Sequence, residues 1–218
     1  MNLKLKVDRR LGYNRTIRKL LHLTGGLPAL LLPFIPYWLA LAGALGALAL
    51  SVYLKPRHAW WLRYISKPAD RQRNVITGMR GYATAVLLLV ILWPALEPYF
   101  PETVRYVMFG WLSLAFGDGL AGLLGPAPGE ARTVPWNVHK TWWGMAGCFL
   151  GNALAFIICF LSPLPQAQPY GLLWGLIAGC LVCVGAAILE SLDTPLDDNY
   201  VIGLGAPLLA LLASVFAG

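Results

Sequence analysis

Charged residues are scarce in this chain. Only 12% of its 218 residues are Asp, Glu, Lys or Arg, whereas about 25% is usual in soluble domains. Hydrophobic residues make up 58% of the sequence. A chain with this composition is not disordered, and the composition disfavours a soluble globule. We therefore predict an all-α, polytopic integral membrane protein.

Cysteine is also sparse, and it offers no site. All four cysteines lie in apolar stretches, and Cys180 and Cys183 form one C-x-x-C pair without a second pair. We interpret them as small packing residues rather than a metal or redox site. The chain has no G-x-x-x-x-G-K-[ST] phosphate loop. Residues 117–122 match G-x-G-x-x-G, but a dinucleotide site needs a preceding strand, and these glycines lie inside an apolar run.

Several apolar runs are long enough to cross a membrane, which takes roughly 17–25 residues of helix. We predict seven spans, at about Leu20–Pro36, Tyr37–Leu54, Gly78–Leu96, Val104–Gly125, Thr141–Leu161, Tyr170–Leu189 and Tyr200–Ala217. The first two share one run with a proline-containing turn, interpreted as a hairpin of two short helices; one kinked helix is the alternative. Residues 1–19 would form a basic cytoplasmic segment and residues 20–218 a single transmembrane catalytic domain.

The distribution of basic residues predicts the orientation. All 17 Lys and Arg residues except Arg105 fall on one face of the predicted topology. By the positive-inside rule this face is cytoplasmic. The N-terminus would then be cytoplasmic and the C-terminus on the opposite side of a bacterial-type inner membrane or its equivalent. Membrane topology thus accounts for the excess of Lys and Arg over Asp and Glu, and we expect no nucleic-acid partner.

The loop at residues 55–77 combines basic and aromatic side chains. Trp60 and Trp61 stand among Arg57, Arg63 and Lys67. This pattern is typical of an interfacial helix on anionic lipid. We interpret the loop as an anchor, with phosphate binding by the same basic residues as the alternative.

Asp118 is the most informative residue, because it lies inside the predicted fourth span. A carboxylate there is costly and indicates function by default. Its neighbours Gly117 and Gly119 would leave room for a ligand or an unwound backbone. We expect a carboxylate that no protein group compensates, reaching a cation in a wet cavity. The alternative is a buried partner for a basic residue.

Three further clusters share the predicted cytoplasmic side. Arg18 and His22 lie on one helix face with Lys19 beside them. The positive-inside rule explains Arg18 and Lys19 but not His22, which lies inside the edge of the apolar run. Lys140 and Thr141 open the fifth span, where a helix start could hold a phosphate.

The third cluster is acidic and lies before the seventh span. It contains Glu190, Asp193, Asp197, Asp198 and Asn199. Helix capping explains one of these residues. The excess of carboxylates predicts a divalent cation, and Mg²⁺ is usually held by carboxylates together with substrate phosphates.

Together these groups are typical of phosphoryl or nucleotidyl transfer to a lipid. A membrane carrier for a lipid or an ion, using Asp118, is the non-enzyme alternative. Such transporters more often contain paired broken helices in two similar halves, and the sequence has no internal repeat.

Four motifs in these regions resemble the phytol kinase and dolichol kinase family, which is related to the cytidylyltransferases that make CDP-diacylglycerol. Arg18-Lys19-Leu20-Leu21-His22 resembles the family's R-K-x-x-H, and Phe116–Ala121 resembles F-G-D-x-x-A. Lys140–Gly144 is similar to K-[ST]-x-E-G, with Trp143 in place of the glutamate. The segment from Glu190 to Asn199 is similar to E-x-x … P-x-D-D-N.

The resemblance implies a CTP-dependent kinase for a long-chain isoprenoid alcohol, with Mg²⁺ as cofactor. Asp118 and Asp198 would be metal-linked catalytic carboxylates, and Lys140 would contact the CTP phosphates. The remaining substrate or nucleotide contacts would be Arg18, Lys19, His22, Gly117, Asn137, Thr141, Gly144, Glu190, Asp197 and Asn199. Lipid alcohol and CTP would be the partners, with no obligate protein partner. A phosphatidate-type cytidylyltransferase or a diacylglycerol kinase is the alternative enzyme.

Overall fold

The fold is helical apart from one short β-hairpin. The computed structural model describes residues 12–100, 102–125, 132–165 and 170–215. Its α-helices are α1 (Arg15–Thr24), α2 (Tyr37–Tyr53), α3 (Trp60–Ile65), α4 (Pro68–Arg73), α5 (Thr77–Leu96), α6 (Thr103–Leu112), α7 (Asp118–Leu124), α8 (Trp142–Phe156), α9 (Leu172–Ser191) and α10 (Asp198–Val215). The hairpin pairs β1 (Thr133–Val134) with β2 (Asn137–Thr141) in antiparallel orientation. The all-α prediction is confirmed for the rest of the described chain.

Five helical segments are long and apolar enough to cross a membrane. They are Thr77–Leu96, Thr103–Leu124, Trp142–Leu161, Leu172–Ser191 and Asp198–Val215. The second contains a π turn at Ser113–Gly117, and the third ends in another at Ile157–Leu161. These segments correspond to the last five predicted spans.

The predicted count of seven spans is not confirmed. The first predicted span is not one helix, because α1 ends at Thr24 and a 3-10 helix at Leu27–Phe34 follows it. Gly25 and Gly26 interrupt the run, and Pro33 inside the 3-10 helix removes a backbone donor. The second predicted span corresponds to α2, which has 17 residues.

The core lies where α6 meets its neighbours. Phe109 of α6 packs edge-on against Phe156 and Phe160, with ring centroids 5.9 and 5.4 Å away. On α8, a Cβ added at Gly147 would lie 2.6 Å from the backbone oxygen of Leu120. Since only glycine permits this approach, α8 lies directly against α7, the helix that begins with Asp118.

Outward faces of the bundle are apolar. Leu172, Leu173 and Leu181 of α9 are 70%, 75% and 66% exposed. Side chains of this kind on a 20-residue apolar helix suit contact with lipid acyl chains. Three cysteines are buried, Cys180 is exposed, and all four are free, which agrees with packing rather than a bonded site.

The loop at residues 55–77 contains the predicted helix. It is α3, with Leu62 and Ile65 buried and Trp60 80% exposed. Its contact with lipid stays a prediction.

Candidate active site: three carboxylates and two lysines

Asp118 begins α7 immediately after the π turn at Ser113–Gly117. A π turn inside an α-helix is rare and is frequent at functional sites. The carbonyl of Leu114, inside the turn, accepts a hydrogen bond from His22 Nε2 at 2.9 Å. The same nitrogen lies 3.1 Å from Asp118 Oδ2. His22 therefore connects α1 both to the irregular turn and to the carboxylate that follows it.

The Asp118 carboxylate is paired within the protein. Lys19 Nζ donates to Asp118 Oδ2 at 2.6 Å and to the backbone oxygen of Asp118 at 3.0 Å. The Lys19 side chain is only 8% exposed. The expectation of an uncompensated carboxylate was therefore wrong, because α1 folds against α7 and brings two basic side chains to it. Both contacts are to Oδ2, so Oδ1 is not engaged by Lys19 or His22.

Side chains of the protein fill the space expected beside the glycines. A Cβ at Gly119 would lie 2.5 Å from Leu23 Cδ2, and one at Gly117 would lie 2.5 Å from Asn152 Nδ2. A Cβ at Gly122 would collide with the Lys19 side chain. The expectation of ligand room at these glycines was thus wrong: they admit α1 and α8, and the predicted contact Gly117 packs against the protein.

The β-hairpin carries Lys140 and is fastened to the end of α9. Trp136 Nε1 donates to Ser191 Oγ at 3.0 Å, and Asn137 Nδ2 donates to the Ser191 carbonyl at 3.1 Å. Asn137 Oδ1 accepts from the backbone N–H of His139 at 2.9 Å. Asn137, predicted as a nucleotide contact, therefore uses both ends of its amide to hold the hairpin.

Thr141 and Gly144, two further predicted contacts, form the start of α8. Thr141 Oγ1 accepts from the Gly144 N–H at 3.0 Å, which caps the helix, and it donates to the Gly125 carbonyl at 2.9 Å. The hydroxyl thus joins the end of α7 to the start of α8. This fixes the position at which β2 ends and Lys140 projects.

Lys140 lies between two carboxylates. Its Nζ is 2.6 Å from Glu190 Oε1 and 2.8 Å from Asp198 Oδ2. Burial lowers the pKa of Lys140, but the two ion pairs outweigh burial and raise that pKa above its ordinary value. The ammonium form is therefore the stable one in this position.

Three carboxylates from three helices meet at this point. Asp118, Glu190 and Asp198 each offer an oxygen, and these oxygens lie within 4.8 Å of one another. Glu190 is 5% exposed, and its Oε2 has no hydrogen-bond partner among the described residues. A buried carboxylate oxygen without a donor is costly. The set of three carboxylates with one unused buried oxygen fits a hard divalent cation such as Mg²⁺.

Asp197 and Asn199 complete the turn before α10. Asp197 Oδ1 accepts from the backbone N–H of Asn199 at 2.9 Å and from its side-chain amide. A Cβ at Gly81 of α5 would lie 3.3 Å from that same Oδ1. These predicted contacts therefore hold the turn in place and position the neighbouring Asp198.

A basic rim of Arg18, Lys19 and Lys67 borders the carboxylates. Arg18 reaches across the start of α5, where its Nη1 lies 3.4 Å from the position of a Cβ at Gly78. Partial desolvation and the charge of Arg18 lower the pKa of Lys67, while the charges of two nearby carboxylates, Asp70 and then Asp197, oppose this shift. The sequence had indicated Lys67 as part of a lipid anchor. The alternation of basic and aromatic residues in this loop did not predict that Lys67 lies close to Arg18 and Asp197.

Comparison with known proteins shows what the chain as a whole is similar to. No family model and no solved structure matches the chain. Over 199 residues it is 29% identical to a phytol kinase from Synechocystis sp., an alignment that covers 90% of this chain and 78% of that protein. The chain is thus similar to a phytol kinase over most of its length. The relation to dolichol kinases and cytidylyltransferases stays a prediction.

The four motifs meet in pairs in the structure. Lys19 of the first motif contacts Asp118 of the second. Lys140 of the third contacts Glu190 and Asp198, both of the fourth. The proximity of the three acids joins the two pairs into one cluster at one end of the helix bundle.

Proposed function

We propose that the chain is a CTP-dependent kinase that transfers the γ-phosphoryl group of CTP to the hydroxyl of a long-chain isoprenoid alcohol. Phytol, geranylgeraniol and polyprenols are the expected acceptors. The printed name of the Synechocystis relative supports the reaction class and the kind of acceptor. CTP as donor is supported by the motif resemblance.

The observation that carries the proposal is the cluster of Asp118, Glu190 and Asp198, with two lysine ammonium groups in contact with it. Phosphoryl transfer depends on aligning the acceptor hydroxyl with the phosphorus and on neutralising negative charge. A Mg²⁺ ion held by these carboxylates would neutralise charge on the phosphates. Lys140, together with Arg18 and Lys67 of the basic rim, would bind and orient the remaining phosphate oxygens.

The position of the cluster suits an acceptor dissolved in the membrane. Asp118 lies six residues from the end of α7 at Leu124, which is about 9 Å along the helix axis at 1.5 Å per residue. The hydroxyl is the polar end of a membrane alcohol and lies toward the headgroups, so a site close to the end of a spanning segment can meet it. We propose that this end of the bundle is cytosolic, because the topology predicted from the sequence assigns every Lys and Arg except Arg105 to the face that also carries these motifs.

A labelling experiment tests the proposal. The purified protein in lipid nanodiscs is incubated with Mg²⁺ and CTP labelled at either the α or the γ phosphorus. Phytol, geranylgeraniol, farnesol, a long polyprenol and diacylglycerol are compared as acceptors, and ATP as donor. We expect γ-label, and no α-label, on an isoprenoid alcohol.

Other outcomes contradict the proposal in distinct ways. Transfer of α-label to the lipid would indicate a cytidylyltransferase. Label on diacylglycerol alone would refute the isoprenoid acceptor. No label with any acceptor, together with passage of lipid or ions across the bilayer, would indicate a carrier.

A further inference from the structure

The two lysines contact the carboxylates in different ways. Lys19 binds one carboxylate oxygen and the backbone oxygen of Asp118, and its side chain is confined beside Gly122. Lys140 instead bridges Glu190 and Asp198 through side-chain oxygens alone. Lys19 therefore holds α1 against α7. Lys140 instead contacts the acids as a bound metal cation would, through carboxylate oxygens alone.

Lys140 and a divalent cation compete for the same two carboxylates, Glu190 and Asp198. A cation held by all three acids must contact one oxygen of Glu190 and one of Asp198, and the Lys140 ammonium is within 2.8 Å of both residues. Two positive charges at this spacing repel strongly where water is limited. The acidic cluster is supported as a cation site by a separate observation, the buried Glu190 Oε2 without a donor among the described residues.

We propose that Lys140 exchanges with the divalent cation: as the cation binds Glu190 and Asp198, the Lys140 ammonium leaves them for the phosphates of the nucleotide. This inference rests on the proposed metal- and nucleotide-dependent function. Lys140 is the penultimate residue of β2, and its side chain has four rotatable bonds. The ammonium can therefore move while Trp136 and Asn137 keep the hairpin docked.

The exchange couples the binding of the metal ion to the binding of the nucleotide. Without phosphate, the cation must displace the ammonium from its two carboxylate partners, and the ammonium gains nothing in return. With phosphate present, the displaced ammonium gains a new partner, so each ligand favours binding of the other. The arrangement would restrict strong metal binding to the moment when nucleotide is bound.

Metal affinity without nucleotide tests this exchange directly. Mn²⁺ binding to the purified protein is measured by electron paramagnetic resonance, with neither CTP nor lipid alcohol present. We expect Lys140→Gln to bind Mn²⁺ at least about tenfold more tightly than the unmodified chain, a change that corresponds to about 1.4 kcal/mol. Lys140→Arg, which keeps the charge, should bind as weakly as the unmodified chain.

Arg132→Gln is the matched control, because Arg132 is exposed just before β1 and loses the same charge. An equal gain in Mn²⁺ affinity in Arg132→Gln would reduce the effect to net charge and overturn the exchange. Unchanged or weaker Mn²⁺ binding in Lys140→Gln would also overturn it. Kinase activity of the unmodified chain, measured separately with γ-labelled CTP, decides the proposed function independently.

A second measurement needs no variant and so does not depend on the folding of Lys140→Gln. The unmodified protein is treated with an amine-methylating reagent, and labelling of Lys140 is followed by mass spectrometry with and without saturating Mn²⁺. We expect Mn²⁺ to speed labelling of Lys140 several-fold relative to Lys55, because the amine loses two carboxylate partners. Slower or unchanged labelling of Lys140 would overturn the exchange.

Discussion

Replacing Asp118 by Asn tests the paired carboxylate most directly. The substitution keeps the shape of the side chain and removes its charge. Lys19, at 2.6 Å and 8% exposed, would be left as a buried ammonium beside a neutral amide. From the sequence alone, loss of an unpaired charge would be expected to stabilise the fold. The structure reverses that expectation, because the charge has a partner.

The magnitude follows from the contacts of Lys19. Removing one member of a buried ion pair typically costs about 3–5 kcal/mol. Here Lys19 keeps the backbone oxygen of Asp118 at 3.0 Å and can still use the amide oxygen of Asn. We therefore expect the free energy of unfolding to fall by roughly 1.5–3 kcal/mol, the contribution of one hydrogen bond to a charged group.

The same substitution should abolish phosphoryl transfer, because one of the three acidic cation ligands is lost. Denaturant unfolding in detergent micelles measures stability, and transfer of γ-label from CTP measures turnover per folded molecule. The matched control is Lys19→Met combined with Asp118→Asn. If the pair contributes as described, the double variant should be less destabilised than the sum of the two single variants.

Two results would refute this reasoning separately. Turnover near that of the unmodified chain would refute a metal-binding role for Asp118. Unchanged stability of Asp118→Asn, with additive effects in the double variant, would refute the ion pair as a source of stability.

Three further predictions concern the framework of the site. Gly147→Ala should lower the free energy of unfolding by about 1–3 kcal/mol through overpacking against α7, whereas Gly46→Ala, which faces open space on α2, should leave it unchanged or raise it; equal effects would contradict the close α7–α8 contact. Asn137→Ala should cost about 1–3 kcal/mol through lost buried hydrogen bonds and raise the KM for CTP, and an unchanged KM would mean that hairpin docking does not position Lys140. Lys67→Gln should raise the KM for CTP about two- to fivefold, since an exposed ion pair contributes at most about 1 kcal/mol, while Arg57→Gln should not; equal effects would favour lipid anchoring.

Convergence of the motifs could be predicted from the sequence, but their pairing could not. Asp118 and Asp198 were expected to share a cation, because the predicted topology places both toward the cytoplasmic side of the membrane. The contact between Lys19 and Asp118 joins residues 99 positions apart, and no local pattern carries it. It depends on α1 lying against α7, where glycines permit close approach.

Secondary structure around Lys140 was missed for a physical reason. A two-residue strand such as β1 is too short to show the alternation of apolar and polar residues that identifies strands. The sequence therefore indicated only a helix start at Lys140 and Thr141. In the structure Thr141 is the cap of α8, and Lys140 extends from β2 toward the acids.

The π turn at Ser113–Gly117 determines on which side of its helix Asp118 lies. A π turn is equivalent to one residue inserted into an α-helix, and each residue turns an α-helix by about 100°. Deleting one residue at positions 113–115, before the second motif begins, would restore a regular helix and rotate Asp118 by about that angle, away from Lys19. A change in chain length of a single residue would then separate two of the four motifs while leaving every motif intact. Relatives of this chain should therefore conserve the spacing between residues 113 and 118 as strictly as the aspartate itself.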